Sequence, residues 1–216
     1  MRLIMLGAPG AGKGTQAEVI SQEYNIVTVS TGNMFREAIK NETEMGKLAK
    51  GFIDKGQLVP DDVVVKMLSE RIEKPDCKDG FILDGFPRTV PQAQALDEIL
   101  LKTKKTITKV IDIEVSDLAI TNRLSGRRVC EKCGAPYHTK FKPTKVADIC
   151  DKCGGNVVLR KDDEVETVKS RLVAYHKQTE PLKDYYTAQN KLFVVEGQES
   201  IDETSKLCLK AVGDKK

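Results

Sequence analysis

A short apolar run followed directly by a glycine-rich loop is the feature that most constrains how this chain can fold. Residues 2–6 read RLIML, and residues 7–15 read GAPGAGKGT before a helical pattern begins. The loop fits the pattern GxxxxGK, in which backbone N–H groups point inward and the following helix adds a partial positive charge. The order strand, loop, helix predicts a phosphate-binding loop in which Lys13 reaches the β- and γ-phosphates. Gly14 stands where the general motif has Ser or Thr, so the hydroxyl is expected from Thr15.

Four further apolar runs are similar to the first. They read IVTVS at 26–30, GFILD at 80–84, KVIDIEV at 109–115 and LFVVE at 192–196. Each is too short for a helix and rich in β-branched residues, which favours buried parallel strands. Because helical patterns fill most of the intervals, we predict an α/β fold of the P-loop NTPase type, with a doubly wound five-stranded parallel sheet. Ligands are then expected at the carboxyl ends of the strands.

Two segments do not fit the alternation of strands and helices. Residues 31–59 have helical patterns without a strand, and residues 126–163 contain four cysteines, four glycines and two prolines. Both are expected to be insertions on the core. A long helical pattern covers residues 162–189.

Four of the six cysteines form two CxxC pairs separated by 16 residues. This spacing is typical of a site with four thiolate ligands, and a complete protein ligand set predicts a structural rather than a catalytic metal. Zinc fits the pattern best, although iron remains open. The predicted ligands are Cys130, Cys133, Cys150 and Cys153. His138, His176, Cys77 and Cys208 are expected to have structural roles.

Arginines are few, and most lie close to predicted strand ends or to the cysteine segment. Nine occur beside 26 lysines, and the clustered ones are Arg36, Arg88, Arg123, Arg127, Arg128, Arg160 and Arg171. Because guanidinium groups bind phosphate bidentately, the clustering predicts a site for more than one phosphate chain. Asp84, at a strand end, is a candidate Mg²⁺ ligand. Asp162 and Asp163 are expected to cap a helix, with Glu166 as the capping-box partner of Asp163.

The overall charge argues against strong general attraction to nucleic acid or membranes. Lys and Arg total 35 against 32 acidic residues, which gives a formal charge of +3. No apolar run approaches the roughly 20 residues of a membrane span, and the opening residues do not resemble a signal peptide, so a cytoplasmic protein is expected. One alternative is a nucleic-acid-binding ATPase with a zinc ribbon, because residues 126–163 hold nine basic and five acidic residues.

Seven motifs together resemble the adenylate kinases, specifically the zinc-containing kind with a long lid, within the nucleoside monophosphate kinase family. In chain order they are GAPGAGKGT, VSTGNMFR, GQLVPDDV, GFILDGFPRT, RLSGRRVC, LRKDDEVETVKSRL and VVEGQ. The resemblance implies reversible phosphoryl transfer from Mg-ATP to AMP, giving two ADP, with lid closure excluding water. It also implies a monomer. Another nucleoside monophosphate kinase, with UMP or CMP as acceptor, remains an alternative.

The resemblance further implies that the chain is divided into three parts. The core would comprise 1–29, 60–125 and 164–216, the AMP-binding insertion 30–59, and the zinc-bearing lid 126–163.

The resemblance also assigns roles to individual residues. Those implied to bind ATP are Gly10, Ala11, Gly12, Lys13, Gly14, Thr15, Arg123, Arg127, Pro136, Tyr137 and Glu199. Those implied to bind AMP are Thr31, Arg36, Gln57, Leu58, Val59, Gly85, Phe86, Pro87, Arg88, Gln92, Arg160 and Arg171. Those implied to act in catalysis are Lys13, Asp84, Arg88, Arg123, Arg160 and Arg171. Asn33 stands where the family usually has Asp, which keeps the hydrogen-bonding shape and removes a charge.

Overall fold

The computed structural model describes residues 1–213 and contains one parallel and one antiparallel sheet. The strands are β1 (Arg2–Leu6), β2 (Val27–Ser30), β3 (Phe81–Asp84), β4 (Lys109–Glu114), β5 (Arg127–Cys130), β6 (Pro136–His138), β7 (Val157–Val158) and β8 (Leu192–Glu196). The parallel sheet has the order β2-β3-β1-β4-β8, and its five strands are the predicted ones, with ends that agree within one residue. The predicted fold class is therefore confirmed.

Helices cover both faces of the parallel sheet and make up most of residues 31–59. They are α1 (Lys13–Tyr24), α2 (Thr31–Lys40), α3 (Glu44–Ile53), α4 (Asp61–Ile72), α5 (Val90–Lys102), α6 (Asp117–Gly126), α7 (Val165–Ala174), α8 (Leu182–Thr187) and α9 (Ile201–Val212). Within residues 1–213, no helix is both long and apolar enough to cross a membrane. The last three residues of the predicted core segment 164–216 lie outside the described residues.

The alternation of side chains along β1 shows how one sheet supplies two cores. Ile4 and Leu6 belong to the apolar cluster on one face of the sheet, and Leu3 and Met5 belong to the cluster on the other. Successive strand residues point to opposite faces, so a strand covered by helices on both sides is apolar at every position. Because all five strands run parallel, their carboxyl ends lie at one edge of the sheet.

The strand register determines which side chains meet at that edge. Met5 and Ser30 both pair with Asp84, and Leu6 pairs with Asp112. The glycine-rich loop leaves the sheet directly after Leu6, between β3 and β4. Asp84 is thus brought beside the loop, as expected for strand-end residues of neighbouring parallel strands.

The two segments that did not fit the alternation lie outside the parallel sheet. The first consists of α2 and α3, which pack against each other, and the second contains the antiparallel sheet β6-β5-β7. The antiparallel sheet has its own small apolar cluster of Cys130, Ala135, Tyr137, Cys150 and Val157. A cluster of this size is too small to stabilise an independent domain without a cross-link.

The helical pattern at 162–189 is interrupted in the structure. A short 3₁₀ turn at Lys161–Asp163 precedes α7, a π-helical turn follows at Tyr175–Thr179, and α8 begins only at Leu182. Pro181 lacks the N–H group needed to continue an α-helical ladder, which explains the break before α8.

The predicted helix cap is wrong. Glu164 is at the N-cap of α7, and no side-chain capping bond is formed there within the described chain. The Asp163 carboxylate instead accepts hydrogen bonds from Arg127 and Arg171. Bonds between ionised partners are about twice as strong as neutral ones, so the guanidinium groups hold this carboxylate away from the helix end.

Gly46 is the position where α2 and α3 come closest, and it provides a test of their packing. A Cβ built on Gly46 would lie 2.2 Å from the backbone oxygen of Ala38. We expect Gly46→Ala to lower the free energy of unfolding by about 1–3 kcal/mol, because overpacking forces the backbones apart. Gly51→Ala in the same helix is the control, since no described atom lies within 4 Å of its Cβ position. The control should be neutral or stabilising in thermal denaturation, and equal melting temperatures for the two variants would contradict the packing.

Candidate active site

A large cavity lies at the carboxyl edge of the parallel sheet, and a smaller one adjoins it. The large cavity has a volume of about 570 Å³ and lies between the glycine-rich loop, the ends of β2 and β3, and the antiparallel sheet segment. The small cavity, of about 80 Å³, lies between α2, the segment 57–59 and the residues after β3. Arg36, Gly85, Arg88 and Arg171 line both, so they stand where the two cavities meet.

Most residues predicted to bind nucleotides line these cavities. The large cavity is also lined by Gly10, Ala11, Gly12, Lys13, Gly14, Thr15, Asp84, Arg123, Arg127, Pro136, Tyr137, Arg160 and Glu199. The small cavity is also lined by Thr31, Gln57, Leu58, Val59 and Gln92. Phe86 differs, because its side chain is fully buried in the core and it is not among the described residues that line either cavity. Pro87 lines a third, separate pocket beside Lys13 and Arg88.

The glycine-rich loop has the backbone shape that its sequence predicts. Gly10 and Gly12 have φ angles of 85° and 103°, which side chains with a Cβ rarely adopt. Lys13 donates two hydrogen bonds to the loop carbonyls of Gly7 and Ala8, at 2.6 and 2.8 Å. Burial lowers the pKa of Lys13 to about 8, and the nearby Asp84 carboxylate opposes that shift. The ammonium group is therefore mostly charged at pH 7, with one N–H remaining for an anion.

Guanidinium groups crowd the junction of the two cavities. Burial lowers the pKa of Arg88 to about 10, and repulsion from Arg171 adds to the effect. Burial also lowers the pKa of Arg160 to about 9, with further repulsion from Arg36 and Arg127. The Nε of Arg160 is buried and has no hydrogen-bond partner in the described part of the chain. Cations buried together with unused donors indicate a binding site for a polyanion.

Two adjacent carboxylates partly neutralise this cluster. Asp163, whose side chain is fully buried, accepts hydrogen bonds from Arg127 Nε at 2.6 Å and Arg171 Nη1 at 3.0 Å. Asp162 lies 3.0 Å from the same Arg171 atom. Burial alone would raise the pKa of Asp162, but the guanidinium groups, first Arg171, lower it below the ordinary value. Both carboxylates therefore act as counter-ions to the arginines.

The small cavity has an ordered wall next to β3. The carbonyl oxygen of Gly85 accepts hydrogen bonds from Thr31 Oγ1 and from Arg88 Nε, each at 2.8 Å. Arg36 Nη2 donates to Asn33 Oδ1 at 2.6 Å. Asn33 therefore keeps the hydrogen bond that its shape predicts, while adding no negative charge beside Arg36.

Arg123 and His138 join α6 to the antiparallel sheet. Arg123 Nη2 donates to the carbonyl oxygen of Gln198 at 2.7 Å, which brings the loop after β8 to the cavity. His138 Nδ1 accepts from the backbone N–H of Lys140, so Nε2 carries the proton and donates to the carbonyl oxygen of Arg123 at 3.0 Å. Burial lowers the pKa of His138, consistent with this neutral form. The predicted structural role of His138 agrees with these contacts.

The four clustered cysteines fit a tetrahedral metal. Their sulfur atoms all lie within 4.8 Å of one another, with 3.5 Å between Cys130 and Cys153 and 3.6 Å between Cys133 and Cys150. Zinc–sulfur bonds of about 2.3 Å place neighbouring sulfurs about 3.8 Å apart, so only small adjustments are needed. A zinc ion held by four thiolates supplies a covalent cross-link to the small antiparallel sheet.

Tyr137 contacts both the cysteine cluster and the large cavity. Its hydroxyl group lies 3.3 Å from Cys150 Sγ and accepts a hydrogen bond from the backbone N–H of Asp151 at 2.8 Å. The hydroxyl therefore contacts the metal site, and the residue also lines the cavity. The family resemblance implied only a contact with ATP.

Sequence reasoning missed an ion-pair cluster that connects α1 to the second inserted segment. Glu18 Oε1 lies 2.8 Å from Lys152 Nζ, and Glu18 Oε2 lies 3.7 Å from Lys142 Nζ. The hydrogen bond from Lys152 lowers the pKa of Glu18, although partial burial opposes the shift. Charged residues of this kind are common on exposed helices, so the sequence carries no signal for this contact.

The loop, the sheet edge and the arginine-lined cavities define the chain as a P-loop phosphotransferase. A sequence model of one family, described as adenylate kinase, matches residues 5–191. The chain belongs to the adenylate kinase family.

Relatives from several bacteria support the same assignment over nearly the whole chain. A protein named adenylate kinase from Acetivibrio thermocellus is 56% identical over 212 residues, with 98% of both chains covered. One of the same name from Caldicellulosiruptor bescii is 54% identical over 213 residues, with 99% of both chains covered. A third, from Carboxydothermus hydrogenoformans, is 54% identical and covers 94% of this chain and 95% of its own.

Removing one thiolate tests the metal site. Cys133 is exposed, so Cys133→Ser changes a ligand without opening a cavity in the core. We expect zinc affinity to fall by at least about tenfold, because even the loss of an outer-shell contact costs about 10–100-fold. The measurement is zinc content per chain after dialysis against a chelator. Cys208→Ser is the control, since Cys208 is buried outside the cluster and should retain zinc. Equal zinc retention by both variants would contradict a four-cysteine site.

Proposed function

We propose that this enzyme transfers a phosphoryl group from Mg-ATP to AMP where the two cavities meet, giving two molecules of ADP. The observation that carries the proposal is the cluster of buried guanidinium groups at the junction: Arg36, Arg88 and Arg171 line both cavities, and Arg160 lines the large one with its Nε left without a partner among the described residues. A polyanion bound between the cavities would neutralise this cluster. Membership of the adenylate kinase family identifies ATP, AMP and ADP as the substrates and products.

We assign ATP to the large cavity and AMP to the small one. The glycine-rich loop and Lys13 line the large cavity, and this loop type binds the phosphates of a nucleoside triphosphate. The small cavity has an ordered polar wall and shares Arg36, Arg88 and Arg171 with its neighbour. These arginines would contact the phosphates of both nucleotides, which places the reacting atoms at the junction.

The chemistry needs positioning and charge neutralisation more than a nucleophilic side chain. An oxygen of the AMP phosphate forms a bond to the γ-phosphorus of ATP, while the bond from that phosphorus to the β-phosphate oxygen breaks and ADP leaves. Lys13, Arg88, Arg123, Arg160 and Arg171 would stabilise the charge that spreads over the transferring group. Holding both nucleotides in line converts a bimolecular encounter into a unimolecular step.

The residues around the loop also fit magnesium. Thr15 and Asp84 line the large cavity, and oxygen atoms are the ligands that Mg²⁺ prefers. Asp84 accepts a hydrogen bond from Ser30 at 3.2 Å and lies next to Gly14, so its carboxylate is fixed at the phosphate loop. Magnesium supplied with ATP reduces the negative charge on the β- and γ-phosphates. Asp84 and Thr15 would hold it there, directly or through water.

We propose that residues 126–163 are a lid that excludes water, that residues 30–59 form the AMP-binding insertion, and that the rest is the core. Water competes with AMP as the phosphoryl acceptor, so the site must be covered before transfer. Arg127 and Arg160 belong to the lid segment and line the large cavity, which means that lid position and charge stabilisation are coupled. Arg127 lines the large cavity while bonded to Asp163, which favours a nucleotide lid over a nucleic-acid-binding ribbon.

We further propose that the enzyme acts as a monomer in the cytoplasm, without nucleic acid or membrane partners. The nearly balanced charge of the chain supports this proposal.

Replacing Arg88 tests the assigned reaction. We expect Arg88→Ala to lower kcat for ADP formation by at least about a hundredfold, because a guanidinium group on the transferring phosphate supplies several kcal/mol in related chemistry. The measurement is ADP formation from Mg-ATP and AMP, with thermal denaturation to confirm folding. Arg128→Ala is the control, since Arg128 bonds only to nearby backbone carbonyls in the described structure and should retain activity. Near-normal turnover by folded Arg88→Ala would reject the assignment.

Replacing Glu18 tests the contact between lid and core. Exposed ion pairs contribute about 0.2–1 kcal/mol, so we expect Glu18→Gln to raise KM for ATP by about two- to fivefold. The difference from wild type should disappear at high salt, where exposed charges are screened. Glu70→Gln is the control, because Glu70 is exposed on α4 and lies outside the cavity lining. A salt-independent change in Glu18→Gln would exclude an electrostatic contact.

A further inference from the structure

The Asp61 carboxylate connects the two walls of the small cavity. Asp61 is the first residue of α4, directly after the wall segment 57–59 and Pro60. Its Oδ1 accepts a hydrogen bond from Gln92 Nε2 at 2.7 Å, and its Oδ2 accepts one from Thr89 Oγ1 at 2.9 Å. Both donors belong to the opposite wall, at the start of α5.

The Gln92 amide is held on both of its polar atoms. Its Oε1 accepts a hydrogen bond from the backbone N–H of Arg88 at 2.8 Å, while its Nε2 donates to Asp61. Gln92 is 1% exposed and lines the small cavity. A flipped amide would place its oxygen against a carboxylate and its NH₂ group against the N–H of Arg88. Two independent partners therefore impose one orientation, since a carboxylate only accepts and a backbone N–H only donates.

A fixed amide can distinguish amino bases from oxo bases. With these two bonds formed, Gln92 retains one lone pair on Oε1 and one N–H on Nε2. An amino group next to an unprotonated ring nitrogen, as in adenine, complements this free acceptor and donor. Glutamine recognises adenine in DNA through two hydrogen bonds of the same kind. Hypoxanthine has an oxo group next to a ring N–H, which is the opposite pattern. The same distinction separates cytosine from uracil.

We propose that Asp61 is a positioning residue that selects 6-amino over 6-oxo purine monophosphates by fixing the orientation of Gln92. The inference rests on the proposed AMP site, because it takes the small cavity as the place of the acceptor base. Asp61 itself is not among the described residues that line this cavity. It acts through the amide, and its carboxylate is one of the two partners that hold the amide in a single orientation.

The test compares AMP with IMP, which differ in the amino or oxo group at position 6 of the purine and in the proton on the neighbouring ring nitrogen. Asp61→Asn keeps the side-chain shape but can donate as well as accept, so only the Arg88 backbone N–H still discriminates between the two Gln92 orientations, and the flipped amide loses one bond instead of two. We expect the ratio of kcat/KM for AMP to that for IMP to fall about tenfold or more, mainly through a higher KM for AMP. The CMP to UMP ratio should fall in the same direction. A purely structural role of Asp61 would lower both activities without changing these ratios.

Two further variants complete the design. Asp62→Asn removes the adjacent exposed carboxylate, which is not among the described residues lining the small cavity, and should leave the ratio unchanged. Asp61→Ser replaces the anion with a hydroxyl that both donates and accepts, and residues of this kind are tolerated at helix starts. It gives the same expected result if Asp61→Asn is unfolded in thermal denaturation. Folded Asp61 variants with the wild-type AMP to IMP ratio would overturn the inference.

Gln92→Leu separates failure of this inference from failure of the proposed AMP site. A higher KM for AMP in Gln92→Leu, together with unchanged ratios in the Asp61 variants, would reject the role of Asp61 and retain the site. An unchanged KM for AMP in Gln92→Leu, or no conversion of AMP by the wild-type enzyme, would reject the site itself. A higher KM in Gln92→Leu with a reduced ratio in Asp61→Asn would support both.

Discussion

Repulsion among buried guanidinium groups is the constraint on which the rest of the site depends. Arg36, Arg88 and Arg171 stand together at the junction of the cavities, and burial makes their charges expensive to maintain. The adjacent carboxylates of Asp162 and Asp163 offset only part of this cost. The site is therefore preorganised for highly charged anions, because binding them relieves repulsion that folding has left in place.

This constraint also explains why the proposed lid, residues 126–163, would need a cross-link. Arg127 and Arg160 are carried by a segment whose apolar cluster is small, yet they must be held against other cations. Four thiolates around one ion can fix such a segment where a larger core is lacking. Tyr137 connects the cysteine cluster to the large cavity, since its hydroxyl contacts Cys150 and the residue lines the cavity. The metal site and the large cavity thus share strand β6.

Local patterns predicted the parts of the fold that depend on local physics, and they failed where distant residues compete. The glycine-rich loop and the five strands follow from glycine spacing and apolar runs, and the structure has them at the predicted positions. Asp163 lies in a capping-box sequence, but its carboxylate accepts hydrogen bonds from Arg127 and Arg171 instead of capping α7. The link between Glu18 and Lys152 joins residues 134 positions apart, and no period or motif encodes it. The hydrogen bonds of Asp61 are not encoded locally either, because its partners become neighbours only when α4 and α5 meet.

The two cavities differ in how firmly their walls are held. Around the small cavity, Asp61, Thr89, Gln92, Arg88 and the carbonyl oxygen of Gly85 form a continuous set of hydrogen bonds. The large cavity is closed on one side by the pairs of Glu18 with Lys142 and Lys152, and solvent-accessible pairs of this kind contribute at most about 1 kcal/mol. A rigid wall can reject a wrong base, because a mismatched base leaves buried polar groups unpaired. A weakly held wall can open and close at little cost. The proposed lid needs this property, because it must cover the site before transfer and open to release the products.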